Sequence, residues 1–194
     1  MSELTAVNDH PIRLVDNDDL NRSRLTVFFR LLLVIPHLIV IYLWGIVVEI
    51  ATLIAWIVGI FVGRVPDGLH DFISPYVRYV TRVRAYMGIL ADPYPPFGSS
   101  GSYPVEAEID PAAPQSRLSI FFRLLLAIPA LILAYVFSIG LTIVAIFGWF
   151  VAVITGKMPQ GLQNLGIYCL RWETQTWAYL FLLTGRYPSL SGIG

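Results

Sequence analysis

Two long apolar runs dominate the hydrophobic pattern of this chain. Residues 31–63 contain one formal charge, Glu49, and residues 124–156 contain none. A membrane-spanning helix needs about 20 mostly apolar residues, so each run is too long for one comfortable span and slightly short for two. The turns that precede each run supply the missing length. The pattern therefore predicts membrane helices.

The second feature of the pattern is an internal repeat. The segment RLTVFFRLLLVIP at residues 24–36 returns as RLSIFFRLLLAIP at residues 117–129. The alignment continues without gaps to Tyr-Pro pairs at residues 94–95 and 187–188. Self-similarity at a fixed offset indicates a tandem duplication.

Each copy predicts the same series of elements. A short alternating stretch, HPIRLV and then YPVEAEID, is typical of a β-strand. The apolar run follows, and then a segment with apolar positions three and four residues apart, which is typical of an amphipathic helix at a membrane interface. We assign the first repeat to residues 1–95 (apolar run about 24–64, interfacial helix about 67–91), a linker to 96–102, and the second repeat to 103–194 (apolar run about 117–157, interfacial helix about 160–184).

The basic residues predict that each apolar run folds back on itself. Arg30 and Arg64 bracket the first run, and Arg123 and Lys157 bracket the second. A helical hairpin places all four on one face of the membrane, as the positive-inside rule prefers. A single helix through the run would be about 50 Å long, against a hydrocarbon core of about 30 Å.

The predicted fold is therefore an all-α membrane protein: a duplicated transmembrane helical hairpin plus an amphipathic interfacial helix, with a short β-strand at the start of each copy. The turns are expected near residues 44–46 and 138–140. This arrangement has four transmembrane helices, both termini in the cytoplasm, and copies related by an axis along the membrane normal. The alternative is an interfacial helix before Pro36 followed by one tilted span.

Small residues recur in register within the second half of each run. Because small side chains let helices approach closely in lipid, we predict a helix-packing face. Its members are Ala55, Gly59 and Gly63 in the first copy and Gly148, Ala152 and Gly156 in the second.

Arginines flank the runs and interrupt the amphipathic segments. Long basic side chains at these depths reach lipid phosphates, so we predict interfacial anchors for the lipid head groups. The predicted anchors are Arg24, Arg30, Arg117, Arg123, Arg78 and Arg82.

Composition and charge exclude several classes of function. Charged residues make up 13% of the chain, against about 25% in soluble domains. The 13 basic and 13 acidic residues balance, which argues against a nucleic-acid partner. A lone Cys169 forms no internal disulfide, and we recognise no metal, cofactor or catalytic motif. We do not expect the polar N-terminal segment to act as a cleavable signal. We therefore expect no enzyme activity.

Two polar residues inside the first apolar run are speculative sites for ions or protons. Glu49 is the only acid there, and an intramembrane carboxylate is a functional hypothesis by default. Placed near the predicted outer turn, it can also snorkel to water. His37 follows Pro36 and would lie deeper than Glu49, so the two are poorly placed to pair.

The repeated motifs RLxxFFRLLLxIP, GxxPxGL and YP resemble those of bacterial membrane proteins known as domain of unknown function 4389. The resemblance covers about residues 10 to 190 as two copies. It implies a bacterial source and the plasma (inner) membrane, and it implies no activity.

The sequence favours a non-enzymatic membrane scaffold or accessory subunit of a larger membrane assembly, related to lipid or envelope transport. Its expected partners are membrane lipids and other membrane subunits, or further copies of itself. The alternative is a small oligomeric transporter or channel that uses Glu49 and His37. A membrane-bound lipid-modifying enzyme is the third hypothesis. We recognise no arrangement of a nucleophile and a neighbouring base in the sequence that would support it.

Overall fold

The computed structural model describes residues 10–98 and 101–190. The N-terminal arm before residue 10, two linker residues and the last four residues of the second repeat lie outside the described residues. Each copy contains a strand, a short helix, a long apolar helix and an amphipathic helix. The elements are β1 (Ile12–Asp16), α1 (Arg24–Leu33), α2 (Ile35–Val62) and α3 (Asp67–Met87), then β2 (Val105–Ile109), α4 (Arg117–Phe121), α5 (Arg123–Thr155) and α6 (Gln160–Leu180).

The predicted hairpin turns are wrong, because both positions lie inside continuous helices. Residues 44–46 are in α2 and residues 138–140 are in α5. The glycines at these two positions allow close packing between helices. A Cβ on Gly45 would lie 2.8 Å from the Tyr76 hydroxyl, and one on Gly140 would lie 3.2 Å from the Cys169 sulfur. Tyr76 and Cys169 belong to α3 and α6, so each glycine admits a side chain of the neighbouring helix.

The helix breaks fall near the start of each run rather than in its middle. In the first copy α1 ends at Leu33 and α2 begins at Ile35, with Pro36 in the first turn of α2. Proline is tolerated there because the first N–H groups of a helix have no intrahelical partner. In the second copy the break lies at Phe122, and Pro129 is inside α5. In the first copy, the short helix before Pro36 and the long helix after it agree with the helical elements of the alternative, whereas its tilted membrane span stays untested.

Each amphipathic helix runs antiparallel along the long helix of its own copy. At the start of α2, Val34 packs with Tyr79 and Val83 of α3. Near the end of α2, Ile60 packs against the same buried cluster as Leu69 at the start of α3. The chain reverses at Gly63, whose φ of 79° favours glycine as the residue that ends a helix. The second copy reverses in the same way at its equivalent glycine.

A pseudo-two-fold axis relates the two copies. β1 and β2 pair antiparallel, and the centre of the pairing joins the equivalent residues Leu14 and Ala107. An antiparallel pair of strands is symmetric about the normal to its sheet. Thr81 and Thr174, also equivalent, approach with their Oγ1 atoms 3.2 Å apart. Contacts between equivalent residues lie on a two-fold axis, so this axis passes through the sheet and the crossing of α3 and α6.

Contacts away from the axis occur in equivalent pairs. They join the last turns of one long helix to the first turn of the other copy or to the segment just before it. The pairs are Trp56 Nε1 to Ile120 O (2.8 Å) with Trp149 Nε1 to Val27 O (3.1 Å), and Gln115 N to Gly63 O (2.8 Å) with Arg22 N to Gly156 O (2.9 Å). α2 and α5 therefore run antiparallel to each other across the axis.

These contacts limit how far each run rises along the axis. The two-fold symmetry places the first residues of α1 and α4 at the same height along the axis. The end of α2 contacts the start of α4 and so lies near that height. The α1–α2 run therefore begins and ends at about the same height. α1 has 10 residues and α2 has 28, which correspond to about 15 Å and about 42 Å. α1 can change the height by at most its own length, and the ends of the run agree in height to within a contact distance. α2 is therefore inclined by at most about 30° to the plane perpendicular to the axis.

The molecule thus has layers along the axis: the sheet, then α3 and α6, then the long helices with α1 and α4. Arg82 of α3 pairs with Glu106 of the sheet at 2.7 Å. Most of the exposed large apolar side chains belong to α1, α2, α4 and α5. The helical stretches Arg24–Val62 and Arg123–Thr155 are long and apolar enough to cross a membrane, and 22% of each most apolar window is buried.

Candidate functional site

A cleft on the two-fold axis is the best candidate for a functional site. α2 and α5 form its walls, through Ile41 and the equivalent Ala134 among others, and α3 and α6 form its floor. Its volume is about 480 Å³, within the range of small-molecule sites. The walls are apolar apart from Glu49, Tyr135 and Ser138, whereas the floor carries Thr81, Thr174 and the ion pair described next.

An ion pair lies on the floor of this cleft. Arg84 donates from Nη2 and Nε to Glu173 Oε2, at 2.5 and 3.1 Å. The Glu173 side chain is 6% exposed and that of Arg84 is 32% exposed. Glu173 Oε1 is buried and has no hydrogen-bond partner among the residues the structure describes. Burial raises the pKa of the Glu173 carboxyl above its ordinary value, and the Arg84 charge opposes that effect.

A second cavity adjoins the cleft at Arg84. Its volume is about 320 Å³, and it lies between α1, the end of α3 and the second half of α5. Apart from Arg30, Arg84 and Thr142 its walls are apolar, with Leu31, Met87 and Phe150 among them. Arg84 lines both spaces.

The structure separates the two residues predicted to handle ions or protons. Glu49 is exposed and lines the cleft. His37 is fully buried, with its Nδ1 atom 2.6 Å from the Tyr79 hydroxyl and its ring against Phe97. His37 does not line the cleft, so the two residues do not share a site.

Three of the six predicted head-group anchors are buried, which corrects that prediction. Arg30 and Arg123 are 2% and 1% exposed. Arg30 donates to Tyr86 O (2.9 Å), Ala91 O (3.0 Å) and Asp92 Oδ1 (3.0 Å), and so satisfies one carbonyl in the last turn of α3 and one beyond its end. Arg123 makes the equivalent contact with Thr184 O at 3.1 Å.

Arg82 is the third buried anchor, at 2% exposure, because the basic side of α3 faces the sheet. Arg78 is partly exposed and donates to Ile109 O at 3.4 Å. Arg24 and Arg117 are exposed, and their contact with lipid stays a prediction.

The predicted packing residues lie at close approaches of the chain or at the ends of the long helices. Ala55 and Ala152 are fully buried. A Cβ on Gly59 would lie 3.2 Å from Ile120 of the other copy, and one on Gly148 would lie 3.0 Å from the Met158 sulfur. Gly63 and Gly156 end their helices with positive φ.

Arg84 and Glu173 are the site residues that sequence reasoning missed. The repeat contains one signal, since the position equivalent to Glu173 is Val80 and the position equivalent to Arg84 is Trp177. A charge that only one copy carries is not required by the fold that both copies share. Among the described residues, no group of three or more His, Cys, Asp or Glu side chains could hold a metal ion.

Both repeats match one known protein family. Residues 24–99 and 117–191 each match the family described as "Domain of unknown function (DUF4389)". Neither the curated proteins nor the solved structures give a match. The chain therefore belongs to the DUF4389 family and carries two tandem copies of its domain.

Proposed function

We propose that this chain is a non-enzymatic membrane scaffold or accessory subunit of a larger assembly in the bacterial plasma membrane. The observation that supports the proposal best is the apolar outer surface of α1, α2, α4 and α5, opposite the sheet. A soluble protein rarely exposes so large an apolar surface. The surface suits the hydrocarbon of a bilayer.

In this proposal the long helices lie in the membrane plane, embedded in one leaflet, rather than crossing it. The two-fold axis is then along the membrane normal, and antiparallel α2 and α5 lie at one depth. Crossing helices would instead require the axis to lie in the membrane plane. The sheet would then hold Arg13, Glu108 and Asp110 near the bilayer centre, where ionised groups are costly.

The embedded orientation keeps both described chain ends on one side. Gln175 contacts both of them, since its Nε2 donates to Ile12 O and its Oε1 accepts from Ser189 N. Basic residues such as Arg64 and Lys157 lie at the ends of the long helices. They favour the cytoplasmic leaflet, whose anionic lipids attract cations, so we assign both ends to the cytoplasm.

Two experiments test the scaffold proposal. Flotation of the purified chain with vesicles tests embedding: the chain is expected to float and to resist extraction by high salt and carbonate. Affinity purification in mild detergent tests assembly: a stoichiometric larger partner is expected. A chain that stays with the soluble fraction contradicts embedding, and a chain that purifies without partner subunits contradicts the accessory role.

A small oligomeric transporter or channel is the second candidate, and the position of Glu49 in the cleft favours it. Proton or cation flux into vesicles that contain the chain, lost on Glu49→Gln, would support this function. Flux that is absent, or that Glu49→Gln leaves unchanged, would exclude a pathway through Glu49.

A further inference from the structure

We propose that the cleft between α2 and α5 binds one phospholipid whose head group carries a primary ammonium. The ammonium binds at Glu173, the phosphate lies at Arg84, and an acyl chain fills the adjoining side cavity. This inference rests on the proposed embedding in a leaflet.

The buried carboxylate indicates a ligand with N–H or O–H donors. Glu173 Oε1 has no partner among the described residues, and an unsatisfied buried acceptor is costly. Of the charged residues that line the cleft, Glu49 and Glu173 are acidic and Arg84 is basic, so the lining has a net charge of −1. A primary ammonium supplies the missing N–H donors and places a positive charge against the Glu173 carboxylate. A trimethylammonium group supplies the charge without any N–H donor.

The shape of the site favours a lipid over a soluble amine. Arg84 is one third exposed and lies where the cleft and the side cavity adjoin, so an anionic phosphate there meets a guanidinium. The side cavity continues between apolar walls, which suit an acyl chain. The charged floor lies toward the sheet, and the walls, which are apolar apart from Glu49, Tyr135 and Ser138, lie toward the outer surface. A lipid in the same leaflet has this orientation, with its head group toward the sheet.

The differences between the two copies make this a single site in each chain. The positions equivalent to Arg84 and Gly88, which line the side cavity, are Trp177 and Phe181. These aromatic side chains are much larger than Gly88, and the position equivalent to Glu173 is apolar Val80. Of the two symmetry-related halves of the cleft, only one combines Glu173 with the small Gly88 beside the side cavity. Each chain therefore has one such site.

Native mass spectrometry of the full chain tests the proposal. The chain is released from vesicles that contain equal amounts of phosphatidylethanolamine, phosphatidylcholine and phosphatidylglycerol with identical acyl chains. We expect one retained phosphatidylethanolamine per chain, favoured about tenfold over the other two, as one charge-assisted hydrogen bond provides. Successive N-methylation of the ethanolamine should reduce retention stepwise. This series uses the unaltered chain and so does not depend on how any variant folds.

Matched variants distinguish recognition of the head group from binding of the acyl chain. Glu173→Gln should abolish the preference for ethanolamine, whereas Glu108→Gln on the exposed sheet should preserve it. Ala145→Phe fills the side cavity and should lower retention of all three lipids, whereas Ile143→Phe on the outer face of α5 should not. Phosphoethanolamine without acyl chains should not compete.

Several results would overturn the lipid site. They are equal retention of the three head groups, a preference for phosphatidylglycerol, an unchanged preference in Glu173→Gln, and competition by phosphoethanolamine. If the chain still floats with vesicles, any of these results rejects the lipid site and leaves the proposed embedding intact. A chain that does not float rejects the embedding itself.

Discussion

Replacing Arg30 by methionine distinguishes a buried structural arginine from a lipid anchor. Arg30 makes three hydrogen bonds of 2.9–3.0 Å, and its guanidinium carbon lies 4.3 Å from the centre of the Tyr86 ring. The Arg30→Met variant keeps much of the packing but leaves the Tyr86 and Ala91 carbonyls without this donor and Asp92 without its ion pair. Breaking a buried, hydrogen-bonded charge pair costs about 3–5 kcal/mol.

The loss can be measured as a shift in melting temperature. For a chain of 150–250 residues, 1 kcal/mol corresponds to about 2–4 °C, so the Arg30→Met variant should melt about 10 °C lower. Arg24→Met is the matched control, since Arg24 is exposed near the end of α5. A charge at a helix end contributes about 0.3–1 kcal/mol, so this control should shift by at most about 4 °C.

The assay is thermal unfolding in detergent micelles and in vesicles with and without anionic lipid. The buried role predicts that the shift for Arg30→Met is the same in every medium. Equal shifts for Arg30→Met and Arg24→Met, or a shift for Arg30→Met that appears only with anionic lipid, would refute the structural role of Arg30.

Three further predictions concern the two-fold contacts, the cleft and a helix end. Trp56→Phe and Trp149→Phe each remove one equivalent hydrogen bond of about 1 kcal/mol, so thermal unfolding should show similar decreases of about 2–4 °C; a decrease in only one would contradict the symmetry. Burial raises the pKa of Glu173 in the folded chain, so stability should fall as pH rises from the ordinary carboxyl pKa through the raised one; Glu173→Gln should remove this fall, and pH-dependent unfolding that does not change would contradict it. Gly63→Ala places a Cβ at a φ of 79° and should cost about 1–2 kcal/mol, whereas Gly68→Ala, with open space around it, should cost less; equal costs by urea unfolding would contradict the role of φ.

Much of the secondary structure could be predicted from the sequence, because periodicity and duplication are local signals. The two strands lie at the predicted stretches and pair with each other. The predicted interfacial segments correspond to the helices α3 and α6. The family was recognisable from its repeated motifs.

The path of the long helices could not be predicted in the same way. Run length and flanking charge predict that each run returns to its starting side of the membrane. A helical hairpin is the usual structure that meets this requirement. In the structure the start and end of a run reach one height because a nearly continuous helix lies across the axis and contacts the other copy. Such a contact joins residues far apart in sequence, and hydrophobicity does not reveal it.

The buried charges escaped prediction for a similar reason. Arg30 looks like an anchor because its neighbours in sequence are apolar, but its partners lie 56 to 62 residues later. Glu173 lies near the middle of the second predicted interfacial segment, and only the tertiary fold brings it to Arg84. The repeat shows that Arg84 and Glu173 have no charged equivalent in the other copy. It does not show that the two residues meet in a cleft.

The depth of α2 in a bilayer is the most direct test of the central claim. Spin labels at the exposed positions Ile39, Ile46, Leu53 and Phe61 sample about 33 Å of helix. Their relative accessibility to oxygen and to a water-soluble nickel chelate reports depth in vesicles. An in-plane helix predicts that all four labels lie in the hydrocarbon, with depths that differ by at most about 17 Å. A helix that crosses the membrane would place the first and last labels about 30 Å apart, near opposite surfaces, and that profile would contradict the account.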